Sequence, residues 1–384
     1  MKSFIIKIFI FSLPVFSFIG VGEYLLFRYK ENIPVTSVIA GQLNRKRESY
    51  YSRYFFDSSP TLYKLGMAEE KKADILVAGR STVLGFRAEM FHPFEDEFYN
   101  IGFATVTVAD LQAVVNLIRN KKLHKPKIMI IGFDAPIFKS GPLDHYDRVN
   151  TPHEDEVYNL KLHFLAYQLL ARQLYSKDRL PVNPDTQLGF GYLGDSGVGF
   201  RKDGSRLEAV AIQQSIDHPG YYNSILVNSA LKNKISPFDE PFKMNDKLIS
   251  SFLNILAELK KSGIRPIIFF PPVSDDFYSK IQKEPEFRTF FESYLSLQNT
   301  FTRMGYDIIR FKTPKDLGLK DSYMLNGTHS GDLVTGKLWL DFLTSKPQSG
   351  ILAGIDTSYV NKLITSKNAT PLSLMTDTLV FPKK

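Results

Sequence analysis

Residues 75–85 read ILVAGRSTVLG, and this stretch decides the predicted fold. Its first four residues, Ile75 to Ala78, form a continuous apolar run that is typical of a buried strand in a parallel sheet. Gly79 then predicts a tight turn. Ser81 follows the carboxyl end of this strand, which is the edge where open α/β sheets hold their ligand sites. The stretch therefore predicts an α/β domain with Ser81 at its ligand-binding edge.

Strand-like and helix-like segments alternate after this stretch. Strands are predicted at 98–103, 126–133, 264–273 and 306–311. Helices are predicted at 109–122, 246–262, 285–304 and 331–343, and residues 80–91 are expected to turn into a further helix. Strands that alternate with helices build a parallel sheet covered by helices on both faces. We therefore predict a three-layer, doubly wound α/β domain over residues 73–345.

Two segments fall outside this alternation. Residues 139–245 are rich in Gly, Pro, Asp and Tyr. We interpret them as a long insertion over the ligand edge, because loops of this length in a compact domain often serve as lids. No GxxxxGK[ST] phosphate-binding loop occurs in the sequence. Residues 346–384 form a polar C-terminal tail to which the sequence assigns no role.

The N-terminal 28 residues are predicted to be an uncleaved signal anchor that forms a transmembrane helix. Residues 8–22 carry no charge, and a helix from Phe4 to Phe27 reaches the roughly 20 residues that a span needs. No convincing small-residue cleavage site follows. A cleaved signal peptide and a buried core helix are the alternatives, and basic residues at both ends leave the orientation open. Residues 29–72 would form a juxtamembrane stem.

The composition indicates a folded, mildly basic protein. The 384 residues are 43% hydrophobic, and 48 Lys and Arg against 40 Asp and Glu give a net charge of +8. Such a charge favours anionic surroundings such as phospholipid headgroups or acidic envelope polymers, unless it is simply dispersed over the surface. No nucleic-acid-reading motif occurs, so no nucleic-acid partner is predicted. The lack of cysteine excludes thiolate metal sites, and no histidine spacing predicts a metal.

Three blocks in this order resemble the SGNH/GDSL hydrolase superfamily. They are the strand–Gly–x–Ser at 75–81, the strand that ends in Asn100 to Gly102, and Asn326 to His329 before the last helix. Together with the N-terminal anchor they are most similar to a membrane-anchored bacterial branch. That branch includes the alginate O-acetylation proteins and the D-alanyl-lipoteichoic acid transfer protein. The resemblance covers about residues 71–343.

This resemblance implies a flavodoxin-like SGNH fold and serine chemistry without a cofactor. Ser81 would be the nucleophile, His329 the general base, and Asn326 would hold the histidine ring. The backbone N–H groups of Ser81 and Gly102 would form the oxyanion hole. The implied function is a serine esterase or O-acyltransferase of the cell envelope, acting on polysaccharide or another envelope polymer. It implies a single-pass protein of the cytoplasmic membrane, with its domain outside the cytoplasm and a multispan membrane O-acyltransferase as partner.

Two further residues depart from the family pattern, one directly before Ser81 and one after a neighbouring predicted strand. Arg80 stands where the family has a small or acidic residue. It could bind a carboxylate or phosphate of the substrate, or pair with Asp110 or Asp134. The third predicted strand ends in Asp134 and not in the usual oxyanion-hole asparagine. That donor is therefore missing or supplied elsewhere.

Asn326 is the most serious departure, because the family has an acid at this position. An asparagine oxygen accepts the N–H of the histidine and fixes its tautomer, but it does not neutralise an imidazolium. Asp321 or Asp332 would compensate if either lay behind the ring, and a Ser–His dyad is a further possibility. The alternative function is a catalytically impaired accessory or binding subunit of an envelope polysaccharide acylation system.

Overall fold

A computed structural model describes residues 2–28, 31, 33–45, 49–52, 60–138, 149, 164, 167–168, 171, 189–190, 198–208, 212, 218 and 244–366. Most of the predicted insertion and the end of the predicted tail therefore lie outside the described residues. The chain divides into two compact units. The first comprises Met1–Pro60 and Pro152–Lys202, and the second comprises Thr61–Thr151 and Asp203–Lys384.

The described helices and strands have the following bounds. The α-helices are α1 (Lys2–Arg28), α2 (Val35–Asn44), α3 (Thr61–Lys71), α4 (Val108–Arg119), α5 (Asp246–Lys261), α6 (Asp275–Lys283), α7 (Pro285–Arg303), α8 (Asp332–Thr344) and α9 (Thr357–Thr365). The strands are β1 (Tyr50–Tyr51), β2 (Ile75–Ala78), β3 (Phe98–Asn100), β4 (Ile128–Gly132), β5 (Gly189–Phe190), β6 (Val198–Phe200), β7 (Arg206–Glu208), β8 (Arg265–Phe269) and β9 (Asp307–Ile309).

The first unit contains the N-terminal helix and a small sheet. Within α1, Ser3–Phe27 is long and apolar enough to cross a membrane by length and composition, with a mean hydropathy of 2.3. Most of its large apolar side chains are exposed, as in Phe11, which is 87% exposed, whereas Leu25 and Leu26 near its end are buried. β1 pairs in parallel with β5 and antiparallel with β6. The exposed face of α1 agrees with the predicted transmembrane helix and disagrees with the alternative of a buried core helix.

The second unit is built on the predicted parallel sheet. Its five strands run parallel in the order β3-β2-β4-β8-β9. In chain order this is 2-1-3-4-5, a doubly wound arrangement. Ile75 and Val77 of β2 belong to the core that α8 and α9 cover, and Leu76 between them is also buried. Because successive residues of a strand face opposite sides, both faces of the sheet are covered. The predicted α/β class with a parallel sheet is confirmed.

The segment after β2 differs from the predicted helix. Two short 3₁₀ helices, Ser81–Val83 and Ala88–Phe91, replace it. The side chain of Asn100 contacts this segment, because its Nδ2 donates to the carbonyl oxygens of Val83 (2.8 Å) and Phe86 (3.1 Å). The N–H of Leu84 bonds to the carbonyl oxygen of Ser81 three residues back, as in a 3₁₀ turn. Ser81 therefore begins a single tight turn rather than a long helix.

The domain bounds also differ from the prediction at both ends. α3 lies in the predicted stem, yet it belongs to the second unit. α9 lies in the predicted tail, where the Asp356 carboxylate caps it by accepting from the N–H groups of Ser358 (2.9 Å) and Tyr359 (3.0 Å). Val360 and Ile364 of α9 are part of the same core as α8. The folded unit therefore continues beyond residue 345.

Candidate active site

The structure brings Ser81 and His329 together. Ser81 Oγ lies 2.6 Å from His329 Nε2, although the two residues are 248 positions apart in the chain. Ser81 follows β2, and His329 lies just before α8. Both residues are partly exposed, so the pair is accessible to a ligand. A histidine nitrogen at this distance can take the proton of a serine hydroxyl.

Gly79 allows the chain to turn sharply between β2 and Ser81. Its φ of +149° belongs to a region that side chains disfavour. A Cβ atom at Gly79 would lie 2.9 Å from Val83 Cγ1 and 3.3 Å from the Cα of Gly132 at the end of β4. A larger residue would therefore push the turn away from the neighbouring strand. The glycine places the Ser81 hydroxyl at the carboxyl edge of the sheet.

Asn326 holds the other side of the histidine ring. Asn326 Oδ1 lies 2.9 Å from His329 Nδ1 and accepts from the backbone N–H groups of Thr328 and His329, both at 3.0 Å. Because two N–H donors point at this atom of the amide, it must be the oxygen. An oxygen here favours a proton on His329 Nδ1. Nε2 is then left as the acceptor for the Ser81 hydroxyl.

Neither predicted substitute acid lies behind the ring. The Asp321 carboxylate accepts from the N–H groups of Asp275 (2.7 Å) and Asp276 (2.9 Å). Asp332 forms an ion pair with Arg87 at 3.2 Å. The expectation that one of these carboxylates supplies the charge that Asn326 lacks is therefore wrong. Each carboxylate is bonded to donors other than His329.

The surroundings of His329 keep its ring neutral. Burial, together with the positive charges of Arg80 and Arg206, lowers the pKa of His329 to about 4. An adjacent carboxylate would normally oppose these effects, but the neutral Asn326 does not. His329 is therefore uncharged at neutral pH and able to accept a proton, although it is a weak base.

A cavity of about 120 Å³ opens beside the Ser81–His329 pair. Its wall combines polar and apolar residues. The polar lining residues are Arg80, Ser81, Thr82, Asp134, Thr328 and His329. The apolar and aromatic lining residues are Ala135, Pro136, Pro271, Pro272, Val273, Phe277, Phe290, Phe291 and Tyr294. The arrangement fits a ligand with an uncharged portion next to a reactive polar group.

Arg80 lines this cavity. Among the described residues it forms no ion pair within 4.0 Å, so the predicted ion pair with Asp134 is not formed at contact distance. The predicted ion pair with Asp110 is wrong, because the Asp110 carboxylate accepts from the N–H groups of Val106 and Thr107 at the start of α4. The charge of Arg80 nevertheless reaches Asp134 and His329. Its guanidinium is therefore placed to meet an anionic group in the cavity.

The two N–H groups that were predicted to form the oxyanion hole differ in their hydrogen bonding. The N–H of Gly102 donates to Asn100 Oδ1 at 2.8 Å, and Gly102 does not line the cavity. Its predicted role in the oxyanion hole is therefore wrong for this conformation. The N–H of Ser81 has no hydrogen-bond partner in the described part of the chain. This N–H remains one available donor.

Thr82 and Asp134 are site residues whose contact the sequence did not predict. Thr82 Oγ1 donates to Asp134 Oδ1 at 2.8 Å and lies 2.9 Å from Asp134 Oδ2. Asp134 follows β4, the strand next to β2, so its position at the end of a predicted strand was the available signal. The carboxyl ends of adjacent parallel strands meet at one edge, which brings these two residues together.

A buried ion pair links the two halves of the site. Arg87, six residues after Ser81, pairs with Asp332, three residues after His329, and both side chains are nearly buried. Trp339 of α8 adds a second link, because its Nε1 donates to the carbonyl oxygen of Met90 at 2.9 Å. These contacts fix the nucleophile segment against the segment that carries the histidine.

Loss of this ion pair is expected to be destabilising. Asp332→Ala should lower the free energy of unfolding by about 1–3 kcal/mol, because it removes one charged hydrogen-bond partner of the nearly buried Arg87, whose ion pair with Glu89 at 2.6 Å remains. Urea denaturation followed by the fluorescence of Trp339, the single tryptophan, measures this. Asp341→Ala on the same helix is the control. Its ion pair with Lys312 is about 40% exposed and should contribute less than about 1 kcal/mol. Equal losses in both variants would contradict the expectation.

The contacts of Ser81, His329 and Asn326 are the direct evidence for chemistry at this site. Among the described residues no group of three or more His, Cys, Asp and Glu could hold a metal ion. Comparison of the chain with protein-family models, with curated proteins and with solved structures finds no match.

Proposed function

We propose that the protein is a serine esterase or O-acyltransferase that works through an acyl-Ser81 intermediate. The observation that carries the proposal is the 2.6 Å contact between Ser81 Oγ and His329 Nε2 beside an open cavity. A serine hydroxyl is a poor nucleophile until a neighbouring base removes its proton, and this contact supplies that base.

The reaction proceeds in two balanced halves. Ser81 Oγ attacks the carbonyl carbon of an ester while its proton passes to His329 Nε2. The electron pair on the carbonyl oxygen then returns and expels the alcohol, which takes the proton from Nε2 and leaves an ester on Ser81. Water or a hydroxyl of an acceptor attacks this ester in the same way. The second half releases an acid or a new ester and restores the Ser81 hydroxyl.

The cavity lining supports a substrate with an apolar part and an anionic part. The apolar lining residues, which include Phe290 and Phe291, suit the hydrocarbon part of an acyl group. The guanidinium of Arg80 suits a carboxylate or phosphate of the acceptor. An acidic envelope polysaccharide carries hydroxyl groups and negative charges together, and it is the acceptor class that we favour.

The N-terminal helix supports an attachment to the cytoplasmic membrane. We place the catalytic domain outside the cytoplasm, with α1 as a single-pass anchor. One helix does not carry acyl groups across a membrane, so an acyl donor must come from another protein. A multispan membrane O-acyltransferase is the partner that fits this requirement.

An accessory subunit without catalytic activity is the second candidate. Two observations favour it: Asn326 contributes no charge behind the histidine, and the N–H of Gly102 is already donated to Asn100. In that case the cavity would bind a polymer without forming an acyl-enzyme.

Covalent labelling separates the two candidates. The full-length protein in detergent is treated with a fluorophosphonate, and the modified peptide is identified by mass spectrometry. We expect one label on Ser81 and none in Ser81→Ala. Ser250→Ala, which removes an exposed serine of α5, is the matched control and should label like the wild type. A wild-type protein that is not labelled at Ser81 would favour the accessory subunit.

A further inference from the structure

Part of the predicted insertion packs against the N-terminal helix. The ring of Tyr167 stacks on the ring of Phe18 with their centroids 4.7 Å apart, and the Tyr167 hydroxyl donates to the Phe18 carbonyl oxygen at 2.8 Å. The ring centroid of Phe164 lies 5.2 Å from that of Phe18. All three residues belong to the first unit. The insertion therefore contacts α1 within the stretch that is long and apolar enough to cross a membrane.

The described residues of this part of the insertion lie on one side of a helix. Phe164, Tyr167, Gln168 and Ala171 are helical, and residues spaced by three and four positions share a helix face. Phe164, Gln168 and Ala171 are exposed, and Tyr167 is half-buried. We call these four residues the insertion face. Its aromatic side chains contact α1, and the rest of it is open.

The insertion face exposes apolar surface next to α1. Among the described residues outside α1, Phe164 is the most exposed large apolar side chain, at 60%. Phe16 of α1, two residues before the contact, is 66% exposed. Exposed apolar residues that continue from one element to the next mark a surface that meets a partner or a membrane. The contact between Phe164 and Phe18 joins two such elements.

The position of the contact along α1 sets its expected depth. Phe18 lies five residues before Glu23, the first charged residue after the uncharged stretch, which is about 7.5 Å along a helix axis. An interfacial helix rests about 5–10 Å deep, at the boundary between lipid headgroups and acyl chains. With Glu23 at the level of the headgroups, the rings of Phe164 and Tyr167 reach this boundary.

The polar groups of this segment suit the same depth. Water is absent below the headgroups, so a hydroxyl there needs a partner in the protein, and the Phe18 carbonyl oxygen serves Tyr167 in this way. Tyrosine is enriched at membrane interfaces. The sequence at 160–175 contains Lys161 and Arg172 and no acidic residue. Basic residues beside an apolar face favour the anionic headgroups of a membrane surface.

We propose that the insertion face is a second membrane-contacting element, which lies against α1 at the surface of the bilayer with Phe164 among the acyl chains. Its partner is the phospholipid bilayer. The inference rests on the proposed attachment of α1 to the membrane and does not depend on the acyl-Ser81 chemistry. A single helix leaves the first unit free to rotate about the axis of α1, and a second contact restrains that rotation.

A nitroxide label measures the depth of the insertion face. The chain contains no cysteine, so one introduced cysteine carries the label. The full-length Phe164→Cys protein is labelled and reconstituted into vesicles of phosphatidylglycerol and phosphatidylcholine. We expect the label to be more accessible to oxygen than to a water-soluble nickel complex, at a depth of about 5–10 Å. Phe11→Cys on α1 is the lipid control, and Ser250→Cys, an exposed position on α5, is the water control.

A photochemical cross-link tests the contact with α1. p-Benzoylphenylalanine in place of Phe18 keeps an aromatic ring at this position. After irradiation, mass spectrometry should find it joined to the tryptic peptide that contains Phe164 and Tyr167. The same residue in place of Phe4 is the matched control. Phe4 lies about 21 Å from Phe18 along the helix and should give no such product.

Three results distinguish the ways in which the proposal fails. Phe164→Cys in water with Phe11→Cys in lipid overturns the second contact and leaves the anchor intact. Both labels in water reject the attachment of α1, and the second contact with it. Both labels in lipid without the cross-link overturn the packing of the insertion face against α1. Neither measurement involves ester hydrolysis, so the labelling of Ser81 by a fluorophosphonate tests the acyl-Ser81 chemistry separately.

Discussion

Replacement of His329 by alanine is expected to slow the reaction of Ser81 with a fluorophosphonate by about 10²- to 10⁴-fold. The imidazole lies 2.6 Å from the hydroxyl, and general bases at this distance contribute that range of rate enhancement. The full-length protein in detergent is labelled over time, and the second-order rate constant is compared with that of the wild type. Added imidazole should restore part of the rate, because a small base fits the space that the alanine leaves.

His124→Ala is the matched control for this comparison. Its Nε2 lies 3.1 Å from Asp74, and the residue does not line the cavity, so its loss should leave the labelling rate unchanged. The wild-type rate should also rise through about pH 4, the pKa of His329, because the protonated ring has no lone pair for the serine proton. Labelling of His329→Ala at the wild-type rate would exclude the histidine as the base.

The parallel sheet and the pairing of Ser81 with His329 could both be predicted from the sequence, because both follow from the positions of the strands. Each strand is a short apolar run closed by a turn residue, so β2 and β4 could be placed without a structure. Parallel strands all deliver their carboxyl ends to one edge. A serine directly after β2 and a histidine before the last helix are therefore brought to that edge by topology alone.

The contacts of the loops could not be predicted in this way. The Asn100 Nδ2 donates to the carbonyl oxygen of Val83 in the turn after Ser81, and its Oδ1 accepts from the N–H of Gly102. These are hydrogen bonds between segments that no periodic pattern connects. The apolar lining of the cavity could not be predicted either. The spacing of Phe290, Phe291 and Tyr294 predicts a buried face of α7, but it does not predict that this face lines a cavity.

Replacement of Asn326 by aspartate is expected to raise the labelling rate of Ser81 by about 10²-fold. The opposite exchange in a serine protease costs about 10⁴, of which part comes from a wrong histidine tautomer. Here the tautomer is already correct, because Asn326 Oδ1 faces His329 Nδ1 at 2.9 Å. The gain is therefore limited to the charge, which stabilises the imidazolium that forms as the proton arrives.

The same variant should move the acid limb of the pH profile. A carboxylate beside an imidazole raises the pKa of the ring by about 1–3 units, so the rise that starts near pH 4 in the wild type should shift upward by that amount. The backbone N–H groups of Thr328 and His329 that hold Asn326 also suit a carboxylate, so the loop should keep its conformation. Asn299→Asp, an exposed change on α7, controls for added charge and should leave both rate and limb unchanged. If Asn326→Asp shifts neither, residue 326 does not act through the histidine, and the three side chains do not function as a catalytic unit.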